Sequence, residues 1–239
     1  MRKFKLLTVV SALVLCLGLM IAPVKAAAYV EIAEYKEVFK PAADGAANLT
    51  VTVKGTADEG GYLYLIKTLK DTTTPVSVEG DAVVGELEEV KTGKVSFYRV
   101  KVNTAEETEV KAKFTVAEFY PLETTNEDNG GSNYAVSYKF TNQLQSEIGK
   151  YSVTVHVPEG HETVKVSTPA KYDKQKLGLT DEGIRTVGAS GKLAPAASSE
   201  VAFTYNVPLG GTMKLVIWGL ALGIGGFVTF DRLRKAKAE

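Results

Sequence analysis

Alternation of apolar and polar residues with a period of two restricts the fold of this chain more than any other feature. It recurs between residues 29 and 209 in short runs that are separated by Gly, Pro, Asn and Asp. A period of two buries one face of each run and leaves the other in solvent, as in antiparallel strands. Many short strands at this spacing predict an all-β body built as a sandwich. The clearest runs are residues 49–53, 110–116, 134–140, 151–157 and 201–207.

A polar stretch rich in turn residues interrupts the alternation at residues 121–133. Such a composition is typical of a linker or a long loop. It divides the body into residues 27–120 and 134–209, each about the size of one sandwich. The two segments also align with each other at an offset that drifts from 85 to 91 residues, starting from Asn48 and Asn133. This similarity favours an internal duplication and two tandem sandwiches. One larger sandwich of about 180 residues is the alternative.

The second segment contains three short motifs in a set order. Phe140-Thr-Asn142 is followed by Tyr151-Ser-Val-Thr-Val-His-Val-Pro-Glu-Gly160, and Gly191-Lys-Leu-Ala-Pro195 comes shortly before the last strand. Over about residues 134–208 this order resembles the immunoglobulin-like repeats of bacterial surface proteins, with Ala196 where those repeats have glycine. The resemblance implies a sandwich of the adhesion or spacer kind, and it implies no catalytic residue.

Residues 1–26 have the organisation of a secretory signal peptide. A basic start precedes an apolar run over residues 6–22, and the small side chains of Val24 and Ala26 suit cleavage after Ala26. Cleavage there removes Cys16, the single cysteine, so the mature chain has no disulfide, thiol nucleophile or cysteine-ligated metal. An uncleaved anchor and lipid modification of Cys16 are alternatives.

A second apolar segment, residues 213–230, is followed at once by basic residues. Residues 215–230 carry no charge, and four of residues 231–239 are Lys or Arg. This length is near the lower limit for a membrane-spanning helix, and the basic flank is typical of a cytoplasmic end. We expect a type I single-pass protein in a bacterial cell membrane, with its body extracytoplasmic and residues 231–239 as a cytoplasmic tail. A buried core helix and a processed sorting tail are alternatives.

Three glycines, Gly219, Gly223 and Gly226, fall on one face of this apolar segment at helical spacing. Small residues at such positions let two membrane helices approach closely. We therefore expect this face to pair with a second copy of the chain or with another envelope protein.

Charge argues against nucleic acid as a partner. Residues 27–213 contain 19 Lys and Arg against 26 Asp and Glu, a net charge of −7. Their only arginines are Arg99 and Arg185. Binding to phosphates needs clustered basic side chains, so we expect no nucleic-acid partner.

Residues that could carry chemistry are few. His156 and His161 are the two histidines and flank a predicted turn, but a metal site would need further ligands. Residues 126–131 have the oxygen ligands and glycines of a calcium loop without its spacing. The chain also lacks a Gly-x-Ser-x-Gly motif and a phosphate-binding glycine loop. We therefore predict no catalytic residue, no metal site and no cofactor.

Together these features predict two tandem immunoglobulin-like β-sandwiches and one C-terminal transmembrane helix. The expected function is non-enzymatic: an adhesion, scaffold or accessory subunit that acts through protein contacts. The alternative is a module that binds a cell-wall or extracellular glycan. Sugar-binding sandwiches stack sugar rings on exposed aromatic side chains, and the candidates for that role are Tyr62, Tyr64 and Tyr98.

Overall fold

The computed structural model describes residues 30–69, 72–93, 95–123, 125–126, 132–167, 176–208 and 211–236. These residues form fourteen β-strands, one turn of 3-10 helix and one α-helix. The body is therefore all-β, as the alternation predicts. The expected signal peptide, residues 1–26, lies outside the described residues.

The strands and helices follow one another in this order along the chain: β1 (Glu31–Pro41), the 3-10 turn (Ala43–Gly45), β2 (Ala47–Thr56), β3 (Tyr62–Ile66), β4 (Thr73–Glu79), β5 (Glu88–Thr92), β6 (Val95–Lys101), β7 (Thr108–Val116), β8 (Thr125–Asn126), β9 (Ser132–Thr141), β10 (Ile148–His156), β11 (Glu162–Ser167), β12 (Lys176–Leu179), β13 (Arg185–Leu193), β14 (Ser198–Asn206) and α1 (Gly211–Ala236).

Three sheets make up the body. The largest has seven strands in the order β12-β13-β10-β1-β2-β7-β4, the second has four in the order β11-β14-β9-β8, and the third has three in the order β3-β6-β5. Within the large sheet, β1 and β10 run parallel, with Ile32 opposite Ile148 and Phe39 opposite Val155. Its other strand pairs are antiparallel.

The parallel pair of β1 and β10 decides the domain organisation. Strand β1 lies in the predicted first segment, 27–120, whereas β10 lies in the predicted second segment, 134–209. Because β1 is hydrogen-bonded to β10 on one side and to β2 on the other, strands of both segments belong to one continuous sheet. The structure therefore does not support two separate immunoglobulin-like sandwiches. It agrees with the alternative of one larger body.

The stretch expected to be a linker, residues 121–133, also takes part in a sheet. Its residues Thr125 and Asn126 form β8, which pairs antiparallel with Asn133 and Ser132 at the start of β9. Part of the expected linker is therefore hydrogen-bonded within the four-stranded sheet. Residues 127–131 lie outside the described residues.

The core lies between the large sheet and the two smaller ones. On one side, Phe140 of β9 contacts Tyr35 of β1 and Tyr151 of β10, with ring centroids 5.1 and 4.4 Å apart. On the other side, Tyr98 of β6 contacts Phe114 of β7, with centroids 5.1 Å apart. Both smaller sheets therefore cover the same large sheet. Burying one such aromatic side chain contributes about 2 to 3 kcal/mol to the free energy of unfolding.

Helix α1 follows the last strand of the body. Its described apolar side chains are exposed, between 46% for Val228 and 74% for Phe227, which does not support the alternative of a buried core helix. The expected transmembrane segment, residues 213–230, lies within this helix. Among the described residues, however, no helix is long and apolar enough to cross a membrane.

Candidate functional site

The three tyrosines predicted to face a glycan do not share a surface. Tyr62 and Tyr64 are partly exposed, whereas Tyr98 is only 3% exposed. Strand pairing explains the difference, because Tyr98 lies opposite Leu65 and Tyr64 lies opposite Arg99. Residues opposite each other point to the same face of a sheet, so Tyr98 and Leu65 face the core and Tyr64 faces away from it. Tyr98 is therefore removed from the candidate glycan contacts.

Around Tyr62 and Tyr64, charged side chains pair with one another. The Arg99 guanidinium lies over the Tyr62 ring at 4.2 Å and donates to the Glu88 carboxylate at 2.8 Å. The Tyr64 hydroxyl donates to Asp58 at 2.9 Å, and the second oxygen of Asp58 accepts from the backbone N–H of Tyr62. Partial burial and the Asp58 carboxylate raise the pKa of Tyr64. One face of the Tyr62 ring is thus already covered by a cation.

The two histidines occupy different environments. His156 is 6% exposed, and burial, followed by the charge of Lys40, lowers its pKa. His161 is partly exposed, and its Nδ1 lies 3.0 Å from the backbone oxygen of Glu159. Within the described residues, no group of three or more His, Cys, Asp and Glu side chains is placed to hold a metal. Most of the calcium-like loop, residues 127–131, falls outside that part of the chain.

An aromatic pocket that the sequence did not reveal lies where β9 begins and β14 ends. Tyr134 and Tyr205 are opposite each other in these strands, and their rings stack with centroids 5.1 Å apart. The His161 ring stands edge-on to both, at 5.7 and 5.3 Å. The pocket has a volume of about 230 Å³ and is lined by Tyr120, Leu122, Tyr134, His161 and Tyr205, together with three prolines and smaller residues.

Specific contacts hold the loops of the aromatic pocket together. The backbone N–H of Tyr120 donates to the carbonyl of Gly45 at 2.7 Å, and the Tyr120 hydroxyl donates to the carbonyl of His156 at 2.8 Å. Next to Tyr120, the Phe119 ring stacks on Phe39 of the core at 4.3 Å. A side chain at Gly45 would not fit, because a Cβ there would lie 2.5 Å from the Tyr120 carbonyl oxygen. The pocket is therefore preformed rather than assembled by a ligand.

Tyr120 and Tyr205 of the aromatic pocket are neutral at physiological pH. Burial, with a smaller effect of Tyr134, raises the pKa of Tyr205 to about 12. Burial also raises the pKa of Tyr120 well above its ordinary value. Both hydroxyls therefore keep their protons. That of Tyr120 donates to the His156 carbonyl, and that of Tyr205 can serve as a hydrogen-bond donor.

A buried carboxyl group is the second feature that the sequence did not reveal. Glu37 of β1 is 2% exposed, and it accepts hydrogen bonds from the hydroxyls of Tyr138 at 2.9 Å and Tyr151 at 2.8 Å. Burial raises the pKa of Glu37 to about 7, although the hydrogen bonds from Tyr151 and Tyr138 lower it. The cavity beside Glu37 has a volume of about 20 Å³, which is room for about one water molecule. A substrate would not fit in a cavity of this size.

The predicted packing face of helix α1 is open in this structure. A Cβ added at Gly219 or at Gly223 would meet no atom within 4 Å. Gly226, the third residue of this face, lies within the same helix. The two described positions thus leave space for a second helix to approach.

Comparisons with known proteins give no family. No protein-family model and no curated protein matches this chain.

Among solved structures, a two-domain M1 zinc metallopeptidase bound to L-tryptophan is 10% identical with a TM-score of 0.42, covering 74% of this chain and 42% of that one. Leukotriene A4 hydrolase from Saccharomyces cerevisiae is 9% identical with a TM-score of 0.45, covering 73% and 29%. A putative protease from Parabacteroides distasonis is 16% identical with a TM-score of 0.40, covering 75% and 40%. The chain thus spans less than half of each, and likeness at this level carries no argument about activity.

Proposed function

We propose that this chain is a non-enzymatic protein of the bacterial envelope that acts as an adhesion, scaffold or accessory subunit through protein contacts. In this proposal the all-β body lies outside the cytoplasmic membrane, and helix α1 joins the body to a partner. The partner is another envelope protein or a second copy of the chain.

The observation that carries the proposal is the exposed apolar surface of helix α1. Trp218, Leu222 and Phe227 are 67%, 72% and 74% exposed, and other apolar side chains of the helix are about half exposed or more. Contiguous apolar surface of this kind marks a site of contact with protein or membrane. The spacing of Gly219, Gly223 and Gly226, rather than their openness, distinguishes one face of the helix, because Gly225 on another side is equally open.

Anchoring of α1 in a lipid bilayer is a separate part of the proposal. The described residues alone do not reach the length and apolarity of a membrane-crossing helix, so this part is based on the sequence of residues 213–230 and the basic residues that follow. Extraction of native membranes with alkaline carbonate tests it. The chain should stay in the membrane pellet, and its release would contradict anchoring while leaving the contact proposal intact.

Co-purification tests the contact proposal itself. The tagged full chain would be purified from its native membranes in a mild detergent, and its partners and mass would be determined. Isoleucine at Gly219 and Gly223 places bulky side chains on the glycine face, so the double substitution should abolish the association. Gly225→Ile is the matched control, because six residues after Gly219 it points to another side of the helix. Association that survives the double substitution, or a chain that is monomeric and without partner from the start, would contradict the proposal.

Glycan binding is the alternative function, and the partial exposure of Tyr62 and Tyr64 on the same face of β3 favours it. The face of Tyr62 that Arg99 does not cover could carry a sugar ring. A glycan array probed with the full chain and with Tyr62→Ala tests this function. Binding that the substitution removes would establish it, and equal binding of both proteins, or none, would exclude Tyr62 from such a role.

A further inference from the structure

The aromatic pocket has the chemical lining of a site for an extended peptide. Three prolines, Pro41, Pro121 and Pro158, stand beside its rings. Polar side chains that could bind many sugar hydroxyls, such as Asp, Asn, Gln or Arg, are missing from its described lining. Grooves lined by aromatic rings are the common docking sites for proline-containing segments in the polyproline II conformation.

Four exposed acidic residues lie close in sequence to the lining of the aromatic pocket. Asp44, Glu118, Glu123 and Glu159 are exposed, and each lies within two residues of a residue that lines the pocket. Lys40, beside Pro41, is the one basic residue found within that distance of those lining residues. The resulting excess of negative charge favours a basic partner through charge complementarity.

We propose that the aromatic pocket binds an extended, basic, proline-containing segment of a partner protein. The proline rings would pack against Tyr134 and Leu122, which are partly and largely exposed. The hydroxyl of Tyr134 would donate a hydrogen bond to a backbone carbonyl of the segment, because these carbonyls carry no hydrogen bonds of their own in this conformation. Lys or Arg side chains of the segment would lie near Glu123 and Glu159.

The preformed walls of the pocket support this assignment. The Tyr120 backbone and hydroxyl are hydrogen-bonded to Gly45 and to His156 at the end of β10, and the ring of Tyr134 is held against Tyr205. A polyproline II segment is likewise stiff before it binds. Little conformational entropy is therefore lost on either side when the two associate.

Fluorescence anisotropy with labelled peptides tests the proposal on the full chain in a mild detergent. The probe is the peptide Arg-Pro-Leu-Pro-Arg-Pro-Leu-Pro-Arg. One control peptide has alanine in place of every proline, and another has glutamate in place of every arginine. We expect saturable binding of the probe and dissociation constants at least about tenfold higher for both controls, with affinity falling as salt is added.

Variants of the protein locate the site. Tyr134→Ala should raise the dissociation constant of the probe at least about tenfold. Leu122→Ser changes a side chain that is 72% exposed, so it leaves the fold intact and should also weaken binding several-fold. Glu159→Gln should weaken binding about twofold to threefold and reduce its salt dependence. Tyr62→Ala is the matched control, because Tyr62 is a partly exposed tyrosine outside the pocket, and it should bind as the wild type does.

Several results would overturn the proposal. One is equal binding of the proline and alanine peptides. Another is a dissociation constant that is unchanged in both Tyr134→Ala and Leu122→Ser. The third is a loss of affinity for the probe in Tyr62→Ala as large as that in Tyr134→Ala. Binding of a soluble peptidoglycan fragment that Tyr134→Ala removes, without peptide binding, would instead make the pocket a glycan site. Helix α1 plays no part in this test, so its outcome is independent of the proposed assembly through Gly219 and Gly223.

Discussion

The buried carboxyl of Glu37 should make the stability of the fold depend on pH. Its pKa is raised from 4.5 to about 7, chiefly by burial. Between these two values the folded protein keeps a proton on Glu37 that the unfolded chain has already released. The free energy of unfolding therefore falls as the pH rises through this window and is constant above about pH 7. The shift of about 2.5 pH units corresponds to about 3 kcal/mol.

Replacement of Glu37 by glutamine should remove this dependence. Glutamine has nearly the same shape and does not titrate, and its carbonyl can still accept hydrogen bonds from Tyr138 and Tyr151. From pH 4.5 to pH 7.5 the wild type should therefore lose about 3 kcal/mol of unfolding free energy relative to Glu37→Gln.

Other groups near Glu37 do not obscure this difference. The neighbouring tyrosines Tyr35, Tyr138 and Tyr151 all have pKa values raised above 10, so they stay neutral throughout. Lys67, which lines the same small cavity, is paired with Glu89 at 2.9 Å.

His156 has the opposite effect. Burial lowers its pKa, so its contribution to stability is lost as the pH falls below 6.5. Both proteins contain His156, so its contribution cancels in the comparison.

Urea unfolding of the full chain at pH 4.5, 5.5, 6.5 and 7.5, followed by far-ultraviolet circular dichroism, measures the difference. Glu31→Gln is the control, because Glu31 lies in the same strand with its side chain exposed, and its difference from the wild type should stay flat. A difference for Glu37→Gln that is also flat across this range would refute the reasoning from burial.

Four further substitutions test local geometry, each by the free energy of urea unfolding. Gly45→Ala should lower the free energy of unfolding by about 1 to 3 kcal/mol, because φ is +71° and the new Cβ would lie 2.5 Å from the Tyr120 carbonyl oxygen. Gly160→Ala should lower it by only about 1 kcal/mol, because φ is +76° but nothing lies within 4 Å of the new Cβ. Equal losses in the two variants would contradict the steric argument. Ala196→Gly should stabilise by about 0.5 to 1 kcal/mol, since φ at Ala196 is +62°, and destabilisation would count against this. Phe140→Ala should cost about 3 to 5 kcal/mol because the ring is fully buried, and a loss under about 1 kcal/mol would contradict the described core.

Local patterning predicted the strands well because alternation is a property of neighbouring residues. The runs at 49–53, 110–116 and 134–140 fall within β2, β7 and β9. Ala196, which stands where the surface-protein repeats have glycine, has a positive φ of 62°. Such features depend on a few adjacent residues, which the sequence shows directly.

Pairing between distant strands could not be predicted in the same way. Strand β1 satisfies the same alternation whether it pairs with β2 alone or with β10 as well, so the continuous large sheet has no local signal. The aligned segments around Asn48 and Asn133 lie in β2 and β9, which belong to different sheets. Similar strand patterns therefore did not identify separate domains.

The site residues were missed for related reasons. Glu37 occupies an inward position between Tyr35 and Phe39, and this break in the apolar face of β1 was the available signal. Tyr134, His161 and Tyr205 are far apart in sequence and meet only because β9 pairs with β14 and a turn follows β10. Tyr98 was wrongly predicted to be exposed. The register between β6 and β3 decides which face of β6 is buried, and the sequence does not show that register.

Cysteine cross-linking in native membranes tests the proposed contact through helix α1 most directly. Cys16 is the single native cysteine, so with Cys16→Ser the substitutions Gly223→Cys and Gly225→Cys each place one thiol on a different side of the helix. The proposal predicts that a thiol-reactive cross-linker joins position 223 to a partner or a second copy and leaves position 225 largely unlinked. Equal cross-linking at both positions, or none at 223, would contradict a specific contact through the glycine face.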